Sequence, residues 1–139
     1  MSFTLREHTA DIAVEATGDS LDAVFADVAA GLTAAHCESV PDPEAVDAER
    51  FPIGLQAESK EALLFDYLDE LIYERDVRGV LPANHEARVH WNGDWVLEAY
   101  AHGIPLDAVA AREIKAVTYS EMELEETTEG WRAYVVFDV

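Results

Sequence analysis

Two short segments near opposite ends of the sequence hold the residues best suited to chemistry. The first is His8-Thr9-Ala10-Asp11, at the mouth of an apolar run. Asp11 offers hard carboxylate oxygens with His8 as a neighbour, which is one way to begin a ligand site. The same four residues also suit a turn in which Thr9 and Asp11 bond to nearby backbone, and spacing alone favours the turn. The second segment is the closing Tyr134-Val135-Val136-Phe137-Asp138-Val139. Here the Asp138 side chain lies one residue from the terminal carboxylate of Val139. Two negative groups held that close are unfavourable unless a cation or hydrogen-bond donors offset them. Asp138, the Val139 carboxyl or carbonyl and a distant acid together supply the oxygen ligands that calcium or magnesium takes. The plain alternative is a solvated acidic terminus, and the residues alone favour it.

Other candidates are weaker. His36 and Cys37 are adjacent, and neighbouring residues at a helix end do not face each other. His85, His90 and His102 lack the paired spacing of a zinc site, and there is one cysteine. No nucleophile elbow, phosphate-cradling glycine loop or dinucleotide fingerprint is present. Lys115, Val117 and Tyr119 alternate along one predicted strand, where an amphipathic face is the simpler account of them. The residues give no catalytic constellation.

The elements that position these residues follow from periodicity. Ile12 to Ala16 reads as a strand closed by Gly18, with Asp19 or Ser20 as the next N-cap. Leu21, Val24, Phe25, Val28, Ala29 and Leu32 recur at helical spacing, and Gly31 weakens the last turn. Phe51, Ile53 and Leu55 alternate as a strand, after a loop from Ser39 to Arg50. Ser59 caps the strongest helix, Lys60 to about Arg75, whose apolar face is Leu63, Leu64, Tyr67, Leu68, Leu71 and Ile72. Ala87-Val89-Trp91 and Trp95-Leu97-Ala99 flank Asn92-Gly93, a hairpin signal. Ile114 to Glu125 and Trp131 to Val139 read as two long strands joined at Glu129-Gly130. The expected fold is one α+β domain over residues 1–139, with two helices packed on a largely antiparallel or mixed sheet.

Composition narrows the function. The chain carries 29 acidic against 9 basic residues, a net charge of −20, with half its residues hydrophobic. The acids are interleaved with aromatic and β-branched residues, which distinguishes this chain from a disordered acidic tail. Such charge repels itself at low salt and is tolerated where salt screens it. The expectation is a halophilic source and a fold that loosens when salt is withdrawn. No basic stripe exists, so direct nucleic-acid binding is not expected. No stretch nears the roughly 18 apolar residues of a membrane span, and no leader segment is evident. With a lone Cys37, a soluble cytoplasmic protein is the reading.

Four segments together resemble the archease family. They are His8-Thr9-Ala10-Asp11-Ile12 with Glu15-Ala16-x-Gly18, the run Glu61 to Tyr73, the run Glu113 to Tyr119, and Trp131 with Val135 to Val139. The chain departs from the family pattern at Ile104 after Gly103, at Ser120 after Tyr119, and at Tyr67 and Asp69 in the long helix. The resemblance implies an accessory protein without catalysis of its own. Its partner would be an RtcB-type RNA ligase that joins tRNA halves using GTP and a divalent metal. The accessory protein promotes ligase guanylylation and multiple turnover. It also implies a bound divalent cation, typically calcium, on residues matching Asp11, Asp138 and the C-terminal Val139. Two other readings stand beside this one. One is a small metal-dependent hydrolase with His8 as general base; the other is a chaperone-like modulator of an RNA methyltransferase. Dependence on a partner separates an activator from an enzyme.

Overall fold

The structure is a computed structural model that describes residues 2–7 and 11–139. The His8-Thr9-Ala10 part of the first motif therefore lies outside the described residues. Seven strands form two antiparallel sheets. One contains β1 (Ser2–Glu7), β2 (Asp11–Gly18), β7 (Gly130–Asp138) and β6 (Ala116–Thr127), in that order. The other has β5 (Trp95–Pro105) between β3 (Glu49–Ala57) and β4 (Val80–Trp91). Helices α1 (Leu21–His36) and α2 (Lys60–Arg78) lie between the sheets. Helix α1 packs on β2 and β4, and α2 on β6 and all three strands of the second sheet. The α+β class holds. The single sheet expected is two sheets, because both helices bury apolar residues on more than one side.

The helices begin and end as their sequences require. Ser20 accepts the Ala23 N–H at 3.1 Å and Ser59 the Ala62 N–H at 3.1 Å, each satisfying an amide that the first turn leaves free. Gly79, at φ +66°, closes α2 in the left-handed conformation, its N–H donating to the Arg75 carbonyl. Gly31 does not end α1. A Cβ there would lie 2.5 Å from a methyl of Val14, so the glycine lets α1 sit close against β2. All six apolar residues expected on the face of α2 are buried, and Phe25 of α1 stacks on Tyr67 of α2 at 6.2 Å. That burial is the main source of stability: each fully buried Leu or Ile is worth about 2 kcal/mol.

Strand β1 had no sequence expectation, and the connection from Ile104 to Arg112 turns out to be the end of β5 followed by a short 3-10 turn at Leu106–Ala108. The Lys115–Val117–Tyr119 alternation also fails as a shared strand face. Strand β6 begins at Ala116, and its pairing with β7 breaks between Thr118 and Glu123. The slip releases Tyr119 from the ladder. Val117 is buried, whereas Tyr119 is half exposed and rests on Phe65 of α2 at 5.2 Å.

Candidate functional site

The pairing of β2 with β7 joins the two ends of the sequence. Asp11 stands directly opposite Asp138, and the ladder continues through Ile12 with Phe137 to Gly18 with Trp131. Residues directly opposite in an antiparallel pair project to the same face, with Cβ atoms about 5 Å apart. Ile12 and Phe137 point into the core and are essentially inaccessible. Alternation therefore sends Asp11 and Asp138 to the other face. The apolar register thus fixes the carboxylates: a slip of β7 by one residue would turn Phe137 out and Asp138 inward.

The two acids differ in setting. Asp138 is exposed. Asp11 is half-buried, and its Oδ1 is fully covered with no hydrogen-bond partner among the described residues. A buried carboxylate oxygen without a partner is costly. The Asp138 carbonyl accepts the Lys115 N–H at 2.8 Å, which anchors the approach to β6 beside the pair. The side chain of Val139 packs against the main core, setting the terminal residue next to Asp138. Of the residues singled out from sequence, Asp11 and Asp138 are brought opposite each other, and Val139 follows Asp138 in the chain. Among the described residues no three His, Cys, Asp or Glu side chains converge as a metal cluster. The arrangement supplies hard oxygens from two side chains, which is the donor type for calcium or magnesium and a poor set for zinc.

The segment leading to Lys115 is fixed from a second direction. His36, at the end of α1, has its Nδ1 3.1 Å from the Arg112 carbonyl, while the Arg112 N–H donates to the His36 carbonyl at 2.7 Å. A neutral imidazole must carry its proton on Nδ1 to make that bond. Burial lowers the His36 pKa to about 4. Cys37 is turned to the Ser39 carbonyl, so the adjacent His36 and Cys37 form no thiol–imidazole pair. His85 lies 2.8 Å from the Thr33 hydroxyl, which donates onward to the Pro82 carbonyl. Burial lowers its pKa to about 4 as well. The His36 and Thr33 contacts had no signal in the sequence, since they join residues 49 to 76 positions apart.

The fold and the site define an antiparallel α+β domain with two facing carboxylates at one end of a sheet. The comparisons with known proteins give the family. Residues 3–139 match the Archease protein family (MTH1598/TM1083), and the chain belongs to it. It is 30% identical to the protein archease of Pyrococcus furiosus, over 96% of this chain and 95% of that one. With the protein archease of Methanosarcina mazei the identity is 34%, over 96% and 92%. The solution structure of Methanobacterium thermoautotrophicum protein 1598 superposes with a TM-score of 0.82 at 27% identity, covering 99% and 98% of the two chains. No helix among the described residues is long and apolar enough to cross a membrane.

Proposed function

We propose that this chain activates an RtcB-type RNA ligase in tRNA exon joining, promoting guanylylation of the ligase and its multiple turnover, and that it catalyses nothing alone. In this reading Asp11, Asp138 and the Val139 carboxyl hold a divalent cation, calcium by preference, and present it to the ligase from a cytoplasm of high salt. The cation would supply positive charge between two carboxylates that otherwise repel. The observation that carries the reading is the opposition of Asp11 to Asp138, with one Asp11 oxygen buried and unpartnered. Hard oxygens left without donors fit a hard cation. The net charge of −20 is the reason to assign a protein partner rather than RNA itself.

The test is multiple-turnover ligation by the cognate ligase with GTP and metal at high KCl, with and without this protein. Wild type should raise turnover at least tenfold, and Asp138→Asn should be folded and inactive. No stimulation by wild type would discard the activator role. RNA processing or hydrolysis by this protein without a ligase would establish the enzyme reading in its place.

A further inference from the structure

Helix α2 buries one face in the core and leaves another in solvent, and the exposed face is not uniformly polar. Asp66, Asp69, Tyr73, Asp76 and Val77 are all exposed. Their spacing of three or four residues sets them in one stripe along the helix. Tyr73 is 57% and Val77 62% exposed, the latter the most exposed large apolar residue among those described. A tyrosine and a valine one turn apart add only a few tenths of a kcal/mol to a solvated helix, and in a chain this acidic their neighbours there are carboxylates. Asp76 is held by Arg75 at 2.7 Å. Asp66 and Asp69 crowd each other, and burial together with Asp69 raises the Asp66 pKa.

The last turns of α2 are tied to the segment before the carboxylate pair through the buried Arg75 side chain. Arg75, on the same turn as Tyr73 and Asp76, reaches Glu113 at 4.0 Å. Two residues on, the Lys115 N–H bonds to Asp138. The C-terminal half of α2 therefore lies toward the Asp11–Asp138 end of the molecule.

We infer that the exposed stripe of α2 docks a lysine- and arginine-rich surface of the partner, with Tyr73 and Val77 as its apolar centre and Asp66 and Asp69 as its charged rim. This rests on the ligase reading. An enzyme that handles RNA must carry basic surface, which is the complement of this stripe. Tyrosine is enriched among residues that dominate interface energy, and rim charges act mainly through electrostatic attraction that salt screens. RNA as occupant is disfavoured, because the carboxylates would repel its phosphates.

The stripe and the site make separable contributions, and a titration of this protein into the ligation reaction reads them separately. The double variant Tyr73→Ala/Val77→Ala should require at least tenfold more protein for half-maximal stimulation, with the wild-type plateau retained. Asp138→Asn should lose the plateau and still compete with wild type for the ligase. Asp66→Asn/Asp69→Asn should weaken binding at low salt and leave it unchanged in multimolar KCl. Val77→Arg, which keeps the helix intact and sets a cation against a basic surface, should weaken binding at least as much as the alanine pair. If wild type stimulates and both Tyr73→Ala/Val77→Ala and Val77→Arg match it at every concentration, the docking stripe is wrong and the activator role survives. If wild type does not bind or stimulate the ligase, both fall together.

Discussion

The ladder between β2 and β7 has two ends, about 23 Å apart at 3.3 Å per residue, and they are built in opposite ways. At the Gly18–Trp131 end the cations are held by rings and carboxylates. Lys60, opening α2, lies 5.4 Å from the Trp95 ring and 5.8 Å from the Trp131 ring, bridging a hairpin of each sheet. Arg132 bonds Glu15 at 2.7 Å and reaches Glu123 and Glu125 at 3.3 Å. At the Asp11–Asp138 end two carboxylates face each other and an oxygen is buried without a donor. One strand pair thus ends in an aromatic and ion-paired corner and, among the described residues, in one whose carboxylates lack a balancing charge. Strain concentrated at a single end of an otherwise satisfied ladder is what a binding site requires, since a ligand can relieve it.

The sharpest way to break this contrast is at the aromatic end. Gly130 has φ +138°, and a Cβ there would sit 2.3 Å from the Gly18 carbonyl oxygen. Gly130→Ala must therefore move the β6–β7 turn away from the β2–α1 turn. We expect a loss of about 3 kcal/mol or more, from backbone strain plus lost packing. Urea unfolding in high KCl measures it. Ligase stimulation at a concentration where the variant is folded should remain. A loss under about 0.5 kcal/mol would mean that the corner is looser than its geometry, and activity lost from a folded variant would mean that the two ends are coupled.

Acid should act nearer the Asp11–Asp138 end. His36 is neutral when folded, with a pKa lowered to about 4 from the 6.5 of an exposed histidine. Between those values the unfolded chain takes up a proton that the folded chain refuses. Its contribution is fully present above pH 6.5 and is lost as pH falls toward 4. The loss is on the order of 3 kcal/mol for this group. His85 works in the same direction. Asp27, Asp66 and Glu70, raised by burial, act oppositely as they protonate in the folded state. His36→Asn preserves a donor for the Arg112 carbonyl and should flatten the slope of stability between pH 6.5 and 4. An unchanged slope would show that His36 is not what makes the segment before Lys115 sensitive to acid.

How much of this was legible in the sequence follows the range of the interactions. Helix caps, the buried face of α2 and the Asn92-Gly93 turn are local, and each was read correctly from a few residues. The division into two sheets was not, because it depends on which strands the helices cover, and periodicity within a strand is silent on that. Strand β1 escaped notice for a similar reason: its Phe3 and Leu5 remain 38% exposed at a sheet edge, so the alternation is weak. Asp11 and Asp138 carried a faint local signal as acids at strand ends. Their opposition needs a register across 127 residues, which the resemblance implied and composition did not. The register shift in β6 that frees Tyr119 had no mark in the sequence at all.

The smallest expected effect is also the most discriminating one. Asp138→Asn removes one of two like charges directly across a strand pair, a contact worth a few tenths to about 1 kcal/mol. In chelator the variant should therefore be slightly more stable than wild type. With millimolar calcium, wild type gains RT ln(1 + [Ca]/Kd) and the variant, short of a ligand, gains less. The order of the two melting curves should then reverse. An aspartate that only shapes the end of β7 would give a difference of one sign in both buffers. A reversal needs the folded state to bind the ion through Asp138, whereas equal curves in calcium and chelator would leave the facing carboxylates as uncompensated repulsion and remove the cation from the proposed site.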